Sequence, residues 1–61
     1  MKPVRIHIMA VRLGDHIPVL NGKLVAVRDT AKTRFFTVEL PNGVRVTRRF
    51  RNDRHIYIHD N

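Results

Sequence analysis

Neither cysteine nor serine occurs among the 61 residues, and glycine appears only three times. Without cysteine there is no disulfide framework and no thiolate-rich zinc site to supplement a small core, so stability must come from packing or from a partner. The same absence is compatible with a reducing compartment, and a cytoplasmic location is expected. With serine and cysteine both missing, the commonest hydroxyl and thiol nucleophiles are absent. Gly14, Gly22 and Gly43 are isolated, each explained by a turn, which excludes a glycine-rich phosphate loop. No apolar run approaches the roughly 20 residues that span a bilayer. The opening Met1-Lys2-Pro3-Val4-Arg5-Ile6-His7 alternates polar and apolar residues, unlike the apolar core of a signal peptide.

The carboxylates and histidines add no catalytic or metal motif. Asp15 and Asp53 fall in turns, Asp29 at a strand end and Asp60 in the tail, where local hydrogen bonding accounts for them. Glu39 is placed to oppose Arg45 or Arg48. His55 and His59 lie about 13 Å apart along an extended strand, too far to share one ion. His7 with His55 or His59 and Asp60 would approach one another if the first and last strands were neighbours, but no complete tetrahedral set is evident. A non-enzymatic protein with no metal and no cofactor is therefore expected.

What the chain has in abundance is positive charge. Twelve arginines and lysines stand against five aspartates and glutamates, a formal net charge of +7. Such a field attracts nucleic acid, an anionic surface or an acidic protein. Nine of the twelve cations are arginine, which favours bidentate contact with phosphate or carboxylate.

Apolar periodicity gives strands and turns. Val4-Arg5-Ile6-His7-Ile8 alternates as a half-buried strand, and the change of parity to Val11 and Leu13 marks a bulge or bend before the turn at Gly14-Asp15. His16 to Leu20 contains Pro18 and is expected to be a loop or edge segment leading to a turn at Asn21-Gly22. Lys23 to Arg28 forms the next strand, and Asp29 to Thr33 a polar connection. Phe35 to Leu40 and Val44 to Thr47 flank Pro41-Asn42-Gly43 as a hairpin, with Phe36, Val38, Leu40, Val44 and Val46 inward. Continued alternation would bury Arg48, so a bend is expected at Arg48-Arg49-Phe50. Phe50 to Arg54 is expected to be a short turn, for which a single 3₁₀ turn is one form, with Phe50 returned to the core, before a last strand His55 to His59 with Ile56 and Ile58 inward.

Five short strands in one domain spanning 1–61 remove their exposed edges most simply by closing into a mainly antiparallel all-β barrel. The order of Gly14-Asp15-His16-Ile17, Asn21-Gly22, the Pro41-Asn42-Gly43 hairpin and the turn around Arg51-Asn52-Asp53 resembles that of SH3-like small barrels, including Tudor-type and KOW-type modules. An OB-like barrel is the alternative, although no helix lies between the strands. The resemblance implies a binding role without choosing the ligand.

Arg45, Arg48, Arg49, Arg51 and Arg54 fall within ten residues at the end of one strand and in the turn after it. With Phe35 and Tyr57 outward as stacking surfaces, they are the expected contacts to nucleic-acid phosphates, with little sequence specificity. The aromatics also suit covering an open barrel end and a neighbouring strand. A second class is a protein-interaction module or inhibitor, in which the arginines clamp an acidic surface or an exposed strand edge accepts a peptide. A homo-oligomer closed by Val25, Val27 or Ile17 to Leu20 is a third.

Overall fold

The computed structural model describes residues 2–60, the Asp60 side chain excepted. Six strands form, β1 Lys2–His7, β2 His16–Ile17, β3 Gly22–Asp29, β4 Thr33–Glu39, β5 Arg45–Arg51 and β6 His55–Asp60. They are divided between two antiparallel sheets, a four-stranded one in the order β2-β3-β4-β5 and a two-stranded one of β1 and β6. The domain is all-β, a curled half-barrel beside a ribbon, and agrees with an SH3-like fold at that coarse level.

The expected closed barrel of five strands is not what the chain makes. The additional strand is β2, two residues long and paired through His16 with Lys23 and Ile17 with Gly22. Pro18 does not prevent this, because it stands just beyond β2 at the start of a 3₁₀ turn, Pro18–Leu20, where its missing N–H removes no ladder bond. The sheet does not close: β6 pairs with β1 along its whole length and not with β5, and no strand pairing among the described residues joins the two sheets. The connection between β5 and β6 is anchored away from a hairpin path: the Asn52 N–H donates to the Lys32 carbonyl at 3.1 Å and the Ile8 N–H to the Arg54 carbonyl at 2.8 Å.

That connection is the expected short turn, the Arg54 N–H donating to the Arg51 carbonyl at 3.2 Å, without a 3₁₀ turn of its own. The 3₁₀ turns lie instead at Ile8–Ala10 and Pro18–Leu20. The first is capped by His7, whose Nδ1 accepts from the Met9 N–H at 3.1 Å. In the second, Asn21 takes the left-handed conformation (φ 52°) and its N–H donates to the Pro18 carbonyl. Gly22 is needed for room: a Cβ there would lie 2.9 Å from the Glu39 carbonyl oxygen and 3.0 Å from the Val38 Cβ.

The β4–β5 hairpin follows the sequence closely. Gly43 (φ 86°) ends its loop, its N–H donating to the Leu40 carbonyl at 2.9 Å while the Leu40 N–H donates to the Val44 carbonyl at 2.8 Å, a three-residue loop with a left-handed glycine. Val44, expected inward, is 51% exposed in this turn, where its N–H is held by the Asn42 side chain. Nor does β5 bend at Arg48. Its register with β4 runs unbroken from Glu39 opposite Arg45 to Thr33 opposite Arg51. Arg48 stays on the core-facing parity, opposite Phe36, yet is exposed, because β5 is an edge strand and no layer covers its inner face there.

The core consists of Ile8, Val11, Ile17, Leu24, Phe36, Val38 and Ile56, with Ile6, Leu20, Val27, Leu40, Val46, Phe50 and Ile58 packed around it. Phe50 returns to the core as expected, its ring centroid 5.6 Å from that of Phe36. Arg34 closes the same side. Its guanidinium lies 5.7 Å from the Phe36 ring centroid and donates from Nη1 to the Met9 carbonyl at 3.0 Å. Its Nε approaches Asp29 Oδ1 at 3.3 Å, near enough for ion pairing but without hydrogen-bond alignment. This arginine joins the larger sheet to the turn that follows β1.

Candidate functional site

Alternation along β4 and β5 sorts the expected binding residues by face. Thr33, Phe35, Thr37 and Glu39 point outward with their partners Arg51, Arg49, Thr47 and Arg45, since residues directly opposite share a face. The outer face is held by a hydrogen bond between the Thr37 and Thr47 hydroxyls, 3.0 Å apart. At one end Arg45 Nε donates to Glu39 Oε2 at 3.4 Å, an exposed pair. Arg48 points the other way. The five arginines are therefore not one surface.

Arg49, Arg51 and Arg54 line an open depression of about 400 Å³ with Thr33 and Phe50. Arg51 contacts Asp53 at 3.7 Å, both side chains largely exposed, a contact worth under ~1 kcal/mol in water. Arg49 and Arg54 have no ion-pair partner among the described residues. Arginine side chains at such a hollow are chemically suited to planar, multiply donating contacts with a carboxylate or a phosphate.

The two aromatics are separated by the division into sheets. Phe35 sits on the outer face of β4, half-buried, between its cross-strand partners Arg28 and Arg49. Tyr57 lies on β6 opposite Arg5 and is 53% exposed. It borders a second, more apolar depression of about 250 Å³, with Val19, Phe50, Arg54, His55 and Ile56. Val19, 71% exposed, and Thr33 were not among the expected site residues. Thr33 reaches the first depression only through the β4–β5 register, which composition does not encode. The signal for Val19 was an apolar residue beside Pro18 in a short connection.

The histidines form two pairs. His7 and His55 are cross-strand partners with ring centroids 5.1 Å apart, edge to face. His16 and His59 stack at 4.6 Å, nearly parallel, and link β2 to β6 across the two sheets. His7 and His59 are thus in different pairs, and the Asp60 side chain, the other expected neighbour, lies outside the described residues. Among the described residues no three histidine, aspartate or glutamate side chains gather as a metal site. Of the residues expected to close a homo-oligomer, Ile17 is fully buried and Leu20 and Val27 pack against the core, whereas Val19 is exposed. No helix among the described residues is long and apolar enough to cross a membrane.

Comparison with protein-family models, with curated proteins and with solved structures gives no match.

Proposed function

We propose that the chain is a protein-interaction module that binds an acidic segment of a partner, with Arg49, Arg51 and Arg54 as the anchoring cations. The observation that carries this reading is their convergence with Thr33 on one depression at the end of edge strand β5. Nucleic-acid binding along a backbone calls for cations in a track past successive phosphates. Here Arg48 lies on the opposite parity from Arg45, Arg49 and Arg51, which interrupts such a track. A carboxylate, or a cluster of two, needs only the hollow. The likeness to SH3-like modules supports a binding role in general.

Nucleic-acid binding with little sequence specificity is the second reading, favoured by one feature: Phe35 flanked by Arg28 and Arg49 on the outer face, a stacking surface between two cations. The two readings separate in a titration of the full chain, at near-physiological ionic strength, with polyglutamate and with random-sequence duplex and single-stranded DNA and RNA. Polyglutamate should perturb the backbone amides of Arg49 to Arg54, and an Arg49→Ala, Arg54→Ala double variant should weaken it by about tenfold or more. Nucleic acid binding at least about tenfold more tightly than polyglutamate, with Phe35 perturbed, would replace this reading with the second.

A further inference from the structure

We infer that the arginine depression and the apolar one beside it form a single bipartite site for an extended peptide that carries a carboxylate side chain next to an apolar side chain. This rests on the protein-interaction reading and specifies its ligand. The two hollows share Phe50 and Arg54, so a ligand filling one touches the wall of the other. Their chemistry differs sharply. One is lined by three arginines, whereas the other is lined by the exposed Val19 and Tyr57 and the buried Ile56.

Charge complementarity fixes the first half of the ligand. Arg54 and Arg49 have no ionic partner among the described residues, and the Asp53 contact of Arg51 is long and exposed, so an incoming carboxylate finds free donors. Exposed apolar area fixes the second half, because covering Val19 and Tyr57 removes it from water while Arg54 holds the neighbouring acid. Phe50, common to both hollows, lies on β5, whose outer edge no other strand pairs among the described residues. A bound chain in extended form has backbone donors and acceptors available there. A tightly folded acidic surface could enter the first hollow but would not deliver a side chain into the second.

The test is a titration of the full chain with three short capped peptides: glutamates flanking leucine, the same peptide with serine for leucine, and the same with glutamine for each glutamate. The first should perturb the backbone amides around both hollows. Replacing leucine by serine should weaken binding roughly tenfold, and replacing glutamate by glutamine by about tenfold or more. Val19→Ser and Tyr57→Ser, each at a position more than half exposed, should reduce affinity for the leucine peptide to that for the serine peptide and leave the latter unchanged. Arg54→Gln should weaken both. Thermal melts of the variants check that the fold is intact. Equal affinity for the leucine and serine peptides overturns the bipartite site while leaving the acidic-partner reading in place. Failure of every glutamate peptide, with polyglutamate also unbound, overturns both.

Discussion

The two sheets hold the molecule together by different means. From the four-stranded sheet, Ile17, Leu24, Phe36 and Val38 are removed almost completely from water, whereas among the described side chains the strands of the two-stranded sheet bury only Ile56, with Ile8 just beyond β1. Ile6 and Ile58 pack against that core from half-exposed positions. The larger sheet curls over a core that is mostly its own. The smaller covers the remaining side and is attached by the Ile8–Arg54 hydrogen bond and the His16–His59 stack. The difference teaches that open edges are tolerated here because the concave face is capped, so closure of the hydrogen-bond ladder is not required.

The heaviest blow to that arrangement is Phe36→Ala. A fully buried phenylalanine lost from a core costs about 3 to 5 kcal/mol, while a chain of this length commands only roughly 3 to 9 kcal/mol in total. Denaturant unfolding should show loss of most of the stability, and a shift below about 1 kcal/mol would mean that the two sheets share the load evenly. Gly22→Ala comes next. Its Cβ would press on the Glu39 carbonyl and Val38, so the start of β3 must shift, costing about 1 to 3 kcal/mol. A neutral result by the same measurement would show that the β2–β3 junction has slack.

His59→Ala sharpens the comparison from the other side, since it removes the ring stack between sheets while leaving the backbone pairing of β6 with β1. A loss of about 0.5 to 1.5 kcal/mol is expected, accompanied by faster amide exchange in β1 and β6 than in β4. Equal acceleration everywhere would contradict a separate attachment. Smallest of all is the Arg45–Glu39 pair. With both side chains exposed, a double-mutant cycle should return a coupling of about 0.2 to 1 kcal/mol that fades with added salt.

Where alternation was strong, the fold was legible. Phe36 and Val38 against Val46 and the loop at Pro41-Asn42-Gly43 follow from period-two patterning and turn chemistry, whereas the pairing of the first and last strands was expected only as part of a closed barrel that the chain does not form. Ile8 and Val11 were harder to assign to the core because they lie in and after a 3₁₀ turn, where no simple period applies. Two-residue β2 offers too little pattern to register, and Pro18 beside it argued against a strand. The expected bend at Arg48 rested on the cost of burying a guanidinium, a cost that vanishes on an uncovered edge. Arg34 shows the converse: an arginine of core parity became part of the covering because Asp29 and the Met9 carbonyl were in reach. Of the candidate site, the nearness of Arg49, Arg51 and Arg54 along the chain was readable, but the opposite facing of Arg48 depends on strand direction and pairing.

The register that places Lys2 opposite Asp60 also sets an order of events. Bringing those strands together closes a loop containing nearly the whole chain, whereas β4 and β5 meet across three loop residues. On polymer-chain scaling the longer closure carries roughly 2 to 3 kcal/mol more entropy loss, so the β4–β5 hairpin forms first and the ribbon of β1 and β6 last. A circular permutant joined from residue 60 to residue 2 through a short glycine-containing linker and opened at the Asn42–Gly43 bond retains the strand pairs but makes the ribbon local, so the earliest and latest steps of folding should exchange.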